Sequence, residues 1–149
     1  RKNEAHFTPA VGIMLGLREV LRMLDAEGLG TVFLRHDRLA RAARAGCEGL
    51  GLELFAKAAP SPALTAVVAP PGIDSEAIVA AYAQVHNITI AGGQGEMKGQ
   101  LFRLGHMGYA AEFDVIVALA ALEQILADLG LPVDFGAGVG AAQKVFADG

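Results

Sequence analysis

The sequence predicts an α+β domain: a small, four-stranded, mainly antiparallel sheet covered by helices on one face and preceded by a long helix. Three observations carry this. Apolar residues recur at helical spacing over long stretches at the start and the end of the chain. Four short runs rich in β-branched and apolar residues lie between those stretches. Pro and Gly clusters punctuate the runs, and at 149 residues the chain is the size of one ordinary domain.

The elements follow in order. Thr8-Pro9 suits a helix start, with Thr8 capping free N–H groups and Pro9 at the first helical position. Ala10 to Leu17 carries no charge, which predicts burial on nearly every side, and Gly12 and Gly16 would admit another backbone. Leu17, Leu21 and Leu24 keep one apolar face until Gly28 ends the helix. A second helix, about 31–46, turns Val32, His36, Leu39, Ala43 and Cys47 inward. Arg35, Arg38, Arg41 and Arg44 recur every three residues outside it and read as a solvated face.

Strands are expected at 52–55 and 64–68, joined by the Pro60-Ser61-Pro62 turn. Asp74 caps a third helix with Ile78, Tyr82 and Val85 inward. Strands at 88–90 and 101–106 follow. The last long helix, about 110–129, faces Val115, Leu119, Leu122, Leu126 and Leu129 to the core and stops at Gly130 and Pro132. A Gly/Ala tail from Gly136 ends in a short helix reaching Phe146.

Composition removes several classes of function. A net charge of −4 gives no global electrostatic reason to bind nucleic acid. No uncharged stretch is long enough to span a membrane without interruption by Pro or Gly. Cys47 is the only cysteine, which rules out an intrachain disulfide and fits a reducing, cytoplasmic setting. The sequence is 53% hydrophobic, with mean hydropathy +0.41, so some apolar surface is expected to meet another chain or domain. The chain opens Arg1-Lys2-Asn3-Glu4 without an initiator methionine, and a longer parent polypeptide is expected.

The densest chemical signal is the glycine loop from Gly92 that runs into the strand at 101–106. Side chains alternate along a strand, so Phe102 and Leu104 share one face and Arg103 points the other way with Leu101. A guanidinium fixed on a strand can grip a planar carboxylate through two parallel hydrogen bonds. The plainer alternative is an arginine in solvent on an edge strand. Gly92-Gly93-Gln94-Gly95 lacks a Lys-Ser/Thr ending and leads into a strand, so nucleotide binding is discounted. The histidines His6, His36, His86 and His106 show no metal-ligand spacing; only His106, beside the arginine, has a claim to a site. Thr8 is either a plain helix cap or a hydroxyl that meets a phosphate at a helix start.

Several strings recur together in a known order: Phe7-Thr8-Pro9-Ala10-Val11, the helix on to Leu17-Arg18-Glu19, Arg35-His36-Asp37-Arg38-Leu39-Ala40, Gly49 to Phe55, and the loop and strand at 92–108. In order and spacing they resemble the C-terminal part of class V, fold-type-I aminotransferases of the serine–pyruvate/alanine–glyoxylate type, a group that includes soluble hydrogenase subunits. The resemblance runs from about Ala5 to Leu129. It implies a linker and long helix over 1–28, a C-terminal small domain over 29–130 and a tail over 131–149. It implies a pyridoxal 5'-phosphate enzyme that moves an amino group from an amino acid to a 2-oxo acid, working as a homodimer. A lysine in an earlier large domain would form the Schiff base, so no catalytic residue falls in this chain and the chain alone would be inactive. By the same resemblance Arg103 pairs with the substrate α-carboxylate, Gly92 and Gly93 line the substrate pocket, and Thr8 reaches the cofactor phosphate of the neighbouring subunit. Ala5 stands where many relatives carry a tyrosine, and Glu96 and Gln100 depart from the usual Pro and Lys. The alternatives are a non-catalytic α+β ligand-binding module, or the small domain of another fold-type-I enzyme such as a cysteine desulfurase, for which helical Cys47 is a poor nucleophile.

Overall fold

A computed structural model of the chain describes residues 8–148, and Ala5 and His6 lie outside them. The chain forms two compact units that divide after Arg35. In the first, helix α1 (Val11–Glu27) starts later than its sequence suggests. The N-cap is Ala10, and no side chain caps the helix, so Thr8 is not the cap the sequence predicts. Pro9 instead lends its carbonyl to the Val11 N–H, 2.9 Å away, and stays outside the helix. Gly28 ends α1 as expected, with its N–H on the Leu24 carbonyl. The expectation of burial along Ala10–Leu17 fails: no α1 residue is buried, and Cβ atoms built at Gly12 and Gly16 would meet nothing within 4 Å. Helix α2 (Leu29–Gly49) opens in this unit, where Arg35 Nε holds Glu27 Oε1 at 2.7 Å.

The second unit holds the sheet. Strands β1 (Leu64–Val68), β2 (Ala91–Gly92) and β3 (Leu101–Gly105) lie in the order β1-β3-β2, antiparallel throughout. The sheet is therefore three-stranded. The expected first strand pairs with β1 only locally: Leu54 bridges Val67, the Phe55 N–H reaches the Ala66 carbonyl and the Val68 N–H reaches that of Glu53. The pairing is cut short because the chain turns out of Gly51 and is diverted again toward Pro60. The expected strand at 88–90 is displaced to Ala91–Gly92, since Asn87 spends the preceding residue as a left-handed cap of α3 (Ser75–His86).

Helices α3, α4 (Glu112–Asp128) and α5 (Ala137–Ala147) complete the unit. Asp74 caps α3 as predicted, its Oδ1 accepting from the Glu76 N–H at 2.9 Å. Ile78 and Tyr82 are fully buried, but Val85, in the last turn of α3 just before its left-handed cap at Asn87, is exposed. The core is made by Leu39, Ala43 and Cys47 of α2, Val67 and Phe102 of the sheet, and Leu119 and Leu122 of α4. Tyr82 satisfies its buried hydroxyl on the Ala118 carbonyl at 2.7 Å. Helix α5 packs on small residues: a Cβ on Gly46 would lie 2.3 Å from Leu119 Cδ1, and one on Gly138 would lie 3.0 Å from the Gly46 carbonyl oxygen. The Glu123 carboxylate receives the N–H groups of Gly136, Gly138 and Val139 at 2.8, 3.0 and 3.1 Å, which anchors the start of α5 in the core.

Register fixes what each sheet face carries. Val67 pairs with Phe102, and Ala66 pairs with Arg103. Phe102 is fully buried and faces the helices, so Ala66, Leu101 and Arg103 belong to the opposite face.

Candidate functional site

That opposite face borders a cavity of about 410 Å³. Its walls come from β1 and β3, from the Leu54–Ser61 segment, from the loop at Gly93, Gln94 and Met97, and from Arg44 of α2. Arg103 is half-buried in the wall, and its Nε donates to the Gly92 carbonyl at 3.0 Å. Among the described residues no carboxylate pairs with it. One backbone bond thus fixes the guanidinium in place while its two terminal nitrogens keep their donors for a ligand. This is not an arginine lost in solvent on an edge strand, since β3 is the central strand of the sheet.

The two glycines act differently. Gly93 lines the cavity, its N–H pairs with the Leu101 carbonyl, and a Cβ there would stand 1.9 Å from the Met97 carbonyl oxygen. That clash is with backbone, so only glycine lets the loop fold back through its short 3₁₀ turn, Gly95–Met97. Gly92 does not line the cavity; it supplies the carbonyl that holds Arg103. Thr8 is exposed beside the uncapped first turn of α1, which contains no acidic residue.

Arg44 departs from its expected place on a solvated face. It is half-buried and lines the same cavity as Arg103. Its neighbours explain the error: Ala42 and Ala43 before it and Gly46 and Cys47 after it are all buried, so Arg44 lies at the margin of the packed face. That unbroken small-residue stretch was the signal available in the sequence. Arg38 is also half-buried, bound to Glu112 at 2.9 Å, to the Phe146 carbonyl and over the Phe146 ring. Arg41 alone of these three meets solvent, paired with Asp37.

His106 is buried, with Nε2 3.0 Å from Thr65 Oγ1. Burial pushes its pKa down to about 4, and the positive charge of Arg44 adds to the effect. It is neutral at pH 7 and shares its hydrogen bond with a residue of the cavity wall. Cys47 is fully buried, and burial pushes its thiol up to about 12, with Glu48 adding to it; a thiol held protonated is a poor nucleophile. Among the described residues no three His, Cys, Asp or Glu side chains gather to hold a metal, and no helix is long and apolar enough to cross a membrane.

No family model matches the chain. Curated relatives do. The small subunit of a soluble hydrogenase from Synechococcus sp. (strain PCC 6716) is 44% identical over 147 residues, covering 97% of this chain and 38% of the relative. A serine–glyoxylate aminotransferase from Hyphomicrobium methylovorum is 40% identical over 142 residues, covering 94% of this chain and 35% of the relative. Among solved structures, pyridoxamine–pyruvate aminotransferase from Mesorhizobium loti superposes with a TM-score of 0.91 at 35% identity, over 99% of this chain and 39% of that one. The chain thus spans well under half the length of the proteins it matches.

Proposed function

The chain belongs to the class V aminotransferase family as a C-terminal domain, and from that premise we propose that it serves a pyridoxal-phosphate-dependent transaminase as its substrate-closing domain. The reaction would pass an amino group from an amino acid to a 2-oxo acid such as pyruvate or glyoxylate. The observation that carries this is Arg103, held by the Gly92 carbonyl in a cavity wall without a carboxylate of its own among the described residues.

In this reading residues 1–28 link an upstream large domain to the small domain at 29–130, with 131–149 as its tail. Arg103 binds the α-carboxylate and orients the amino group; the Gly92-Gly93 loop shapes the pocket and helps to exclude water. Thr8 offers a hydroxyl to the cofactor phosphate of the neighbouring subunit in a homodimer. The fit is supported by its exposure and by the uncapped N-terminal turn of α1, free of acidic residues. When bound, pyridoxal phosphate supplies the electron sink for the transfer. Among Lys2, Lys57, Lys98 and Lys144 none lies in a sequence context suited to holding that cofactor, so the chain by itself is expected to be inactive. The setting proposed for the enzyme is cytoplasmic.

The test is Arg103→Ala in the intact enzyme. Losing a bidentate partner for a buried carboxylate, worth about 3 kcal/mol, should raise the amino-acid KM about a hundredfold. An unaltered KM across several amino donors would overturn the reading.

A further inference from the structure

Of the four partly buried cations among the described residues, two already have an acid. Arg35 holds Glu27, Arg38 holds Glu112, and on the surface Arg22 holds Glu19 and Arg41 holds Asp37. Arg18 has no such partner among the described residues and stands in solvent. Two half-buried arginines remain without a carboxylate among the described residues, Arg44 and Arg103, and both line the same cavity. The Arg44 Nη1 atom is closed off from solvent and has no hydrogen-bond partner among the described residues.

A shielded guanidinium donor without a partner is costly, and a chain with net charge −4 has acids to spare. Two are near. Glu48 follows Arg44 by one helical turn, and Glu53 shares with Arg44 the wall of an adjoining cavity of about 520 Å³. Neither comes within ion-pair distance of Arg44, and Glu53 is taken by Lys57 at 2.7 Å. Nη1 itself is shielded, but Arg44 also lines the cavity, and the part of its side chain that does so faces space that a ligand can enter.

We propose that Arg44 is a second anion-binding residue of this cavity, and that the ligand the pair fits is a dicarboxylate: an amino or 2-oxo acid with a second acid group on its side chain. The inference rests on the reading of Arg103 as the α-carboxylate partner. Arg103 takes the acid group common to all substrates; Arg44, from the α2 wall, takes the distal one. A volume of about 410 Å³ lies within the range of small-molecule sites. Leu54, Phe55 and Leu64 give the cavity an apolar lining around the two charges. An acidic side chain from the rest of the polypeptide is the competing occupant, and the test separates it.

The experiment compares succinate with butyrate, four-carbon acids that differ by one carboxylate. Binding to the intact, cofactor-loaded protein is read by thermal shift and by competitive inhibition, for the wild type, Arg44→Gln, Arg44→Lys and Arg103→Gln. The wild type should bind succinate at least about tenfold more tightly than butyrate. Arg44→Gln should bring that ratio to within about twofold while leaving butyrate unchanged, and Arg44→Lys should retain part of it. A wild-type ratio near one overturns the proposal, as does an Arg44→Gln variant that weakens both acids equally or leaves the preference intact; the last is the outcome expected if an acid of the protein occupies Arg44. Should Arg44→Gln fail to fold, the wild-type ratio and Arg44→Lys decide by the same criteria. Arg103→Gln keeps the two readings apart: it should weaken both acids. If it weakens neither while Arg44→Gln still abolishes the preference, the role given to Arg103 fails and that of Arg44 stands.

Discussion

Helices α1 and α4 are both 17 residues long and both largely apolar, yet they end in opposite circumstances. In α4 the apolar residues fall into register with the helical repeat, and Val115, Leu119, Leu122 and Leu126 disappear into the core. In α1, Val11, Ile13, Met14, Leu15, Leu17, Val20 and Leu21 all remain exposed. Hydrophobicity in a sequence therefore records that a surface is meant to be covered, and is silent about which chain segment covers it. For α1 the charge-free run argues for a cover from outside the described residues, in keeping with relatives more than twice as long as this chain.

The contrast can be broken by substitution. Phe102→Ala removes a fully buried ring from the second unit and should cost about 3–5 kcal/mol, measured by denaturant unfolding of the chain. Leu17→Ala in α1 should cost less than about 0.5 kcal/mol in the same assay. Comparable losses at the two sites would show that α1 is covered in solution. Glu123→Ala sharpens the picture of the second unit. It withdraws one acceptor group from three backbone N–H groups and should cost about 3 kcal/mol, with the amides of Gly136, Gly138 and Val139 losing protection from hydrogen exchange. Gly46→Val comes next: its side chain would collide with Leu119, and overpacking of about 1–3 kcal/mol should appear as a lowered midpoint with unchanged denaturant slope.

A further effect is expected from pH acting on His106. An unfolded histidine takes up its proton near 6.5, whereas the folded one does so only near 4, because burial, Arg44 and His36 all oppose its charging. The neutral ring's contribution to stability is complete above pH 6.5 and is lost as the pH falls from there toward 4. The unfolding midpoint of His106→Gln should accordingly fall less steeply than that of the wild type across that window. Parallel curves would mean that the ring reaches solvent.

Much of the fold was legible because its causes are local. Asp74 before a helix, the four-residue rhythm of α4 and the alternation around Arg103 each act within a few positions of the residue concerned, and each element lies where those signals place it. The misplaced features depend on distant partners. The strand expected at 52–55 needs β1 to complete it and receives only one bridge, and the strand at 88–90 gives way to the left-handed cap at Asn87. Glu123 looks like any charge on a helix until a segment 13 to 16 residues later folds back onto it. Arg44 recurs with three other arginines at a spacing that reads as a solvated stripe, and only the packing of Ala43 and Cys47 turns it toward the cavity. For the site itself, alternation alone gives the side of β3 on which Arg103 lies; the second cation of the cavity is signalled in the sequence only by the small residues around it, and its place in the wall comes from tertiary structure.

The three amides gathered by Glu123 also bear on how the polypeptide can be handled. Because the carboxylate lies beneath the entry to α5, removal of the chain from Gly136 onward would leave a buried negative charge without its three N–H partners, whereas an affinity tag fused beyond Ala147 would leave that anchor untouched. A truncation that ends before Gly136 should thus unfold the domain rather than trim it.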